Sequence, residues 1–212
     1  MKVKPKHIGA ALLAAALAAG LCGCEQQDEG PLSEKPVIYL YPEEETAVHV
    51  TLDYDGELTT AWPAYEGGWD VTARPDGTLT AADGSEYTYL FWEGVSDTAY
   101  DFSTGFCVAG EDTGEFLRDT LAEIGLTPRE YNEFIVYWLP QMQNNAYNLI
   151  AFQTDCYTES ARLTIDPQPD SVLRVFMAWK PLDAPQEIAP QTFAPFAREG
   201  FTVVEWGGAA VG

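Results

Sequence analysis

An α+β fold, mainly an antiparallel β-sheet of sandwich-like form with an inserted pair of helices packed on it, is predicted by three features of this sequence. Short apolar runs of strand length recur between Lys35 and Trp206, parted by Gly, Pro and Asp turn signals. Only between Asp112 and Pro140 does the apolar period lengthen from two residues to between three and four. A composition of 46% hydrophobic residues, 13% of the chain being aromatic, supplies enough apolar surface for one core in 212 residues.

The chain opens on Lys2, Lys4 and Lys6, followed from Ile8 to Leu21 by Ala, Leu, Ile and Gly alone. That run is short for a bilayer span and has the charge and apolar layout of a secretion signal. Leu21-Cys22-Gly23-Cys24 closes it and resembles the bacterial lipobox, a Leu three residues before the modified Cys. The resemblance implies a signal peptide over residues 1–23 and lipid on Cys24, which would anchor the protein to a membrane with the domain facing away from the cytoplasm. Cys22 fits less well because Ala19 stands three before it. Residues 24–34 are acidic and poor in apolar groups, a composition that predicts a flexible tether, and residues 35–212 are expected to form a single globular domain. The chain carries a net charge of −22, which becomes −25 without the three leader lysines. Such a charge repels nucleic acid and keeps an exported protein soluble.

Val37 to Tyr41 and Ala47 to Tyr54 read as two strands around Pro42. In the second, Val48, Val50 and Leu52 alternate with His49 and Thr51, so His49 belongs to the polar face. His49 is the only His outside the leader, which excludes a multi-His metal centre within one chain; no metal and no cofactor is expected. A Ser-His-Asp triad would also have to use it, and no G-x-S-x-G setting is present. Asp55-Gly56, Gly67-Gly68, Pro75-Asp76-Gly77 and Asp83-Gly84 then punctuate an antiparallel meander. Trp62, Tyr65 and Trp69 fall near its turns, as caps on the core or as a platform for a flat ligand such as a sugar ring. Tyr87 to Gly94 reads as a central strand ending in Trp92, Glu93 and Gly94.

Gly105 to Val108 is a short strand. Asp112 with Glu115 resembles a capping box, Leu117, Leu121 and Ile124 follow at helical spacing, and Gly125 is placed as a stop. Thr127-Pro128-Arg129-Glu130 opens a second helix, whose Tyr131, Phe134, Ile135 and Trp138 share one face until Pro140 ends or kinks it. Two helices joined by so short a turn could be a DNA-binding helix-turn-helix, but charge and export signal argue for packing on the sheet. Strands are expected again at Tyr147 to Phe152, Ala161 to Ile165, Val172 to Trp179 and Phe201 to Trp206, with a proline-rich surface loop from Pro181 to Pro195.

Lys35-Pro36-Val37-Ile38-Tyr39-Leu40-Tyr41-Pro42, Tyr89-Leu90-Phe91-Trp92-Glu93, Tyr137-Trp138-Leu139-Pro140 and Glu205-Trp206-Gly207-Gly208 together resemble a family of uncharacterised secreted or surface bacterial lipoproteins. The likeness spans Lys35 to Gly208 and implies one domain over that range. It implies no reaction, cofactor or catalytic residue.

Two functions of different class are compatible with these residues. One is a non-catalytic surface module binding a small molecule, a glycan or a protein, with Trp62, Trp69, Trp92 and Trp206 as contact residues. The alternative is a carboxylate-only hydrolase, possibly glycan-directed, in which Glu93 and Glu205 face one pocket as acid and base. The pleat opposes this pairing, because Glu93 and Glu205 each point away from the Trp beside them. Cys107 and Cys156 either form a disulfide, as export allows, or are separate small core residues.

Overall fold

The computed structural model describes residues 32–211 as two stacked β-sheets with a pair of helices on the far side of the larger one. The strands are β1 Leu32–Tyr41, β2 Thr46–Tyr54, β3 Glu57–Trp62, β4 Trp69–Ala73, β5 Leu79–Thr80, β6 Glu86–Tyr87, β7 Leu90–Val95, β8 Phe106–Ala109, β9 Tyr147–Gln153, β10 Ala161–Asp166, β11 Ser171–Leu182 and β12 Thr202–Ala210. The helices are α1 Thr113–Ile124, α2 Pro128–Met142 and α3 Asp155–Ser160. The larger sheet has seven strands in the order β3-β7-β1-β12-β11-β9-β8, and the smaller has five, β10-β2-β4-β5-β6. All pairs are antiparallel except β11 with β12. The class is therefore the predicted α+β sandwich.

Burial decides which strands sit centrally. β1 and β12 are apolar at consecutive positions because both faces of the larger sheet are covered. On one face Ile38, Leu40, Leu90, Trp92, Phe176 and Val203 meet Val48, Val50, Leu52, Trp69 and Val71 of the smaller sheet. On the other, Val37, Tyr39, Met177, Val204 and Trp206 meet Leu117, Leu121, Phe134 and Trp138 of the helices. The stretch from Tyr87 to Gly94 is not one central strand. Its start lies in β6 of the smaller sheet, and the remainder, β7, is second from the edge of the larger. Chain crossing between sheets explains why aromatic density is high here: Tyr87 and Tyr89 serve different cores.

The folded strand also begins earlier than expected. Leu32 to Glu34 belong to β1 and Ser33 is buried, so three residues assigned to the tether are structured. The segment before them lies outside the described residues. The expected capping box of Asp112 and Glu115 is not formed, because Gly110–Asp112 is a 3-10 turn that leads into α1 and leaves Asp112 without a capping hydrogen bond. At α2 the box is present, and its Thr127 N–H donates to Glu130 Oε2 at 2.7 Å. Pro140 lies inside α2, which runs on to Met142. The 181–195 segment is a pinned strap in which the Gly105 N–H donates to Ala189 O and the Gln191 amide brackets both backbone groups of Phe152. Helix α3 gave no periodic signal, since six residues are too few to show one.

Candidate functional site

The two glutamates of the hydrolase reading do not share a pocket. They lie on opposite faces of the seven-stranded sheet: β12 sends Val203 and Glu205 toward the smaller sheet and Val204 and Trp206 toward the helices, whereas β7 sends Trp92 toward the smaller sheet and Glu93 toward the helices. Glu205 is fully buried, and Arg174 Nε donates to its Oε2 at 2.6 Å while the Trp92 indole N–H donates to Oε1 at 3.3 Å. The guanidinium also stacks over the Tyr157 ring at 4.7 Å. Every oxygen of this carboxylate is engaged in fastening strands β7, β11 and β12 together, an arrangement that restrains it from acid–base chemistry.

Glu93 belongs to a second cluster at a bulge. The register of β1 shifts on both sides between residues 33 and 37, and within that shift Lys35 adopts φ 59°. A left-handed lysine costs about 1–2 kcal/mol, which the surrounding contacts must offset. The turned backbone lets the Lys35 N–H donate to Glu93 Oε1 at 3.3 Å. It also holds the ammonium over Tyr89, Phe91 and Trp206, 4.9, 5.4 and 5.9 Å from the ring centroids. Nearby the Tyr137 hydroxyl donates to Glu34 Oε2 at 2.8 Å. Burial pushes the Glu93 carboxyl above its ordinary range, with Glu34 adding to the rise and Lys35 opposing it. Burial, then the hydrogen bond to Glu34 and the charge of that carboxylate, likewise raises Tyr137. This cluster closes the sheet against α2.

The tryptophans separate sharply. Trp92 and Trp206 are fully buried and Trp69 nearly so, which removes them as contact residues for an outside ligand; they form the two cores. Trp62 is 62% exposed and is the only large aromatic standing clear of the surface among the described residues. Its ring meets Tyr87 edge to face at 6.0 Å. From Trp62 the chain enters the 63–68 loop, which two buried or half-buried aromatics pin: the Trp69 indole N–H donates to Pro63 O at 2.8 Å, and the Tyr65 hydroxyl bonds both backbone groups of Leu52 at 3.0 Å.

A trough runs over the outer face of the smaller sheet, and Trp62 adjoins it through its chain neighbour Pro63 and its ring partner Tyr87, both of which line the wall. Its first hollow, about 520 Å³, is walled by His49, Pro63, Glu66, Gly68, Asp83 and Tyr87 among others. It shares His49, Asp70 and the Ala81-Ala82 turn with a second hollow of about 350 Å³ that reaches Thr72, Thr80 and Asp166. Strand register lines up Asp166, His49 and Asp70 across β10, β2 and β4. His49 Nδ1 and Asp70 Oδ1 are 2.8 Å apart, so the carboxylate orients the ring. Gly68 lets the loop backbone lie against that ring, since a Cβ there would stand 2.6 Å from His49 Cε1. Sequence reasoning placed His49 on the polar face but gave no sign of Asp70 or Tyr87 beside it. Those neighbours depend on cross-strand register, which no local pattern encodes.

Cys107 and Cys156 are both free. Cys107 lies opposite Leu149, while Cys156 follows the end of β9 at Gln153, a strand run of about 13 Å that puts the two well beyond disulfide reach. Cys24, the expected lipid site, lies outside the described residues. Among the described residues no group of His, Cys, Asp and Glu is arranged to hold a metal ion, and no helix is long and apolar enough to cross a membrane.

Comparison with known proteins gives one relative. A Butyrivibrio fibrisolvens protein described as "Uncharacterized protein in bglA 3'region" is 46% identical over 83 residues, an alignment spanning 85% of that protein and 37% of this chain. No family model and no solved structure matches. The chain belongs to the same family as the Butyrivibrio protein.

Proposed function

We propose that this member of the family is a lipid-anchored extracytoplasmic protein that binds a ligand without transforming it, through the trough beside Trp62. The observation that carries the reading is the exposed Trp62 ring, 62% accessible, set edge to face against Tyr87, which with Pro63 forms part of the wall of the neighbouring cleft. An apolar ring left in water on a preorganised support loses little entropy when a ligand covers it. The hydrolase alternative has lost its candidate pair, because Glu205 is locked to Arg174 on the opposite face from Glu93. The leader and lipobox support anchoring through Cys24, and the net charge of −22 is unsuited to a nucleic-acid partner.

Two experiments test this. Replacing Cys24 by Ser in cells should release the protein from the membrane fraction or leave its precursor uncleaved; unchanged lipid labelling would refute the anchor. For binding, purified full-length protein is screened against soluble ligands by intrinsic tryptophan fluorescence, with Trp62→Ala as the control. A ligand whose signal survives Trp62→Ala unchanged would place binding elsewhere, and turnover of any bound ligand would refute the non-catalytic assignment.

A further inference from the structure

We propose that the ligand of the trough is an uncharged carbohydrate chain, laid with one pyranose face on Trp62 and its hydroxyls directed along the Asp166, His49 and Asp70 row. This rests on the binding function proposed above and adds the chemical class. Three features select that class. A sugar ring has one face of C–H bonds that packs on an aromatic plane, and Trp62 is the one large aromatic that offers a plane to solvent among the described residues. The walls beyond it are rich in acceptors, namely the carboxylates of Glu66, Asp70 and Asp83 and the imidazole of His49, as a ligand made of hydroxyl donors requires. Neither hollow is lined by Lys or Arg, so phosphorylated, sulfated or uronic ligands would meet only like charge.

The shape agrees with a chain rather than a compact molecule. The two hollows join through His49 and Asp70, and the carboxylate–imidazole–carboxylate row crosses two strand spacings, about 10 Å. A cation is the competing ligand for so acidic a wall. It is disfavoured because two of the carboxylates are already satisfied: Asp70 orients His49 at 2.8 Å, and Asp83 Oδ1 accepts the Ser85 N–H at 2.9 Å. Their second oxygens suit accepting a hydroxyl better than balancing a full charge.

The test is isothermal titration of the full-length protein with neutral oligosaccharides of two to six units, with the corresponding uronic oligomers and with a lysine-rich peptide, each at low and high salt. Expected are binding of a neutral oligomer that tightens with length, little salt dependence, and a loss of about five- to tenfold in Trp62→Ala. His49→Ala should weaken the longer oligomers more than the disaccharide. Both positions are exposed, and circular dichroism confirms that the variants fold. Salt-sensitive binding of the peptide alone, lost in Trp62→Ala, would overturn the carbohydrate assignment and leave the binding module standing. Silence toward every probe, with Trp62 fluorescence unchanged throughout, would overturn the assignment of the trough itself. Neutral binding that ignores both Trp62→Ala and His49→Ala would overturn the proposed site.

Discussion

Replacing Arg174 by Met tests whether Glu205 is a fastening. The pair sits between the two sheets, its carboxylate completely inaccessible and the arginine side chain only 11% exposed. In the variant Glu205 keeps just the Trp92 indole N–H, at 3.3 Å. Removing one partner of a buried ion pair costs about 3–5 kcal/mol, because the other charge remains without compensation. Against a total stability of about 5–15 kcal/mol that is a large share, and for a domain of this size it corresponds to a melting temperature lower by roughly 6–20 °C. Removing both charges should be far milder: Arg174→Met with Glu205→Gln keeps an acceptor for Trp92 and eliminates the stranded carboxylate. The double mutant is therefore expected to recover at least about 2 kcal/mol relative to the sum of the single variants. Urea unfolding with an unchanged m-value measures the wild type, Arg174→Met, Glu205→Gln and the double mutant. A cost below about 1 kcal/mol for Arg174→Met, or strict additivity in the double mutant, would refute the buried-pair account.

Glu130→Ala should destabilise by roughly 3 kcal/mol, since it strands both Arg198, which donates to Glu130 at 2.6 and 3.1 Å, and the Thr127 N–H; Thr127→Ala should cost only about 1 kcal/mol or less, and equal losses in urea unfolding would contradict this ranking. Gly208→Ala is expected to lose about 1–3 kcal/mol by overpacking, because a Cβ there would stand 2.5 Å from Met177 O and 2.7 Å from the Trp138 ring; an unchanged melting temperature would show that the sheet yields. Carboxyl NMR should find Asp76, Asp83 and Asp101 titrating below about 3.9 and Glu93 above about 4.3. The aspartates are held down by backbone N–H groups two residues on, so their stabilisation is present above that value and lost as pH falls through the lowered one. Glu93, raised by burial, has the opposite sign and favours the folded state on the acid side; coincident titration of all four would refute both shifts. Mass analysis after alkylation without reductant should count two thiols, at Cys107 and Cys156, and a bridged species would overturn their separation.

What could be read from the sequence was whatever a single element decides for itself. The alternation in β2, with Val48, Val50 and Leu52 buried and Ala47 and His49 exposed, is a property of the pleat, and so is the opposition of each glutamate to its tryptophan. Glu130 was visible as the third helical residue after a Thr-Pro start, although its partner Arg198 lies 68 positions away and left no local mark. The same limit hid the trough. His49, Asp70 and Asp166 meet only because β10, β2 and β4 pair in one register, and Tyr87 reaches Trp62 only because the chain changes sheets between β6 and β7. Lys35 is the extreme case: its left-handed backbone is imposed by pairing on both sides of β1, and nothing intrinsic to a lysine before a proline announces it.

The two sheets divide the labour along lines that bear on where function can reside. β1 and β12 are buried on both faces, so nearly every side chain there answers to packing, and a charge such as Glu205 survives only with a dedicated partner. A catalytic carboxylate needs access to substrate and freedom to exchange protons, and the larger sheet grants neither. The smaller sheet buries one face only. Its outer face carries His49, Asp70 and Thr72 without any core to satisfy, which leaves these side chains available for an outside molecule. Ligand chemistry is accordingly expected from the half-open sheet; the experiment at His49 addresses that face directly, the one at Trp62 addresses the neighbouring edge of the larger sheet where β3 ends, and Arg174→Met addresses the closed interior. Loss of binding without loss of stability in the first pair, and loss of stability without loss of binding affinity in the folded fraction of the second, is the pattern that this division requires.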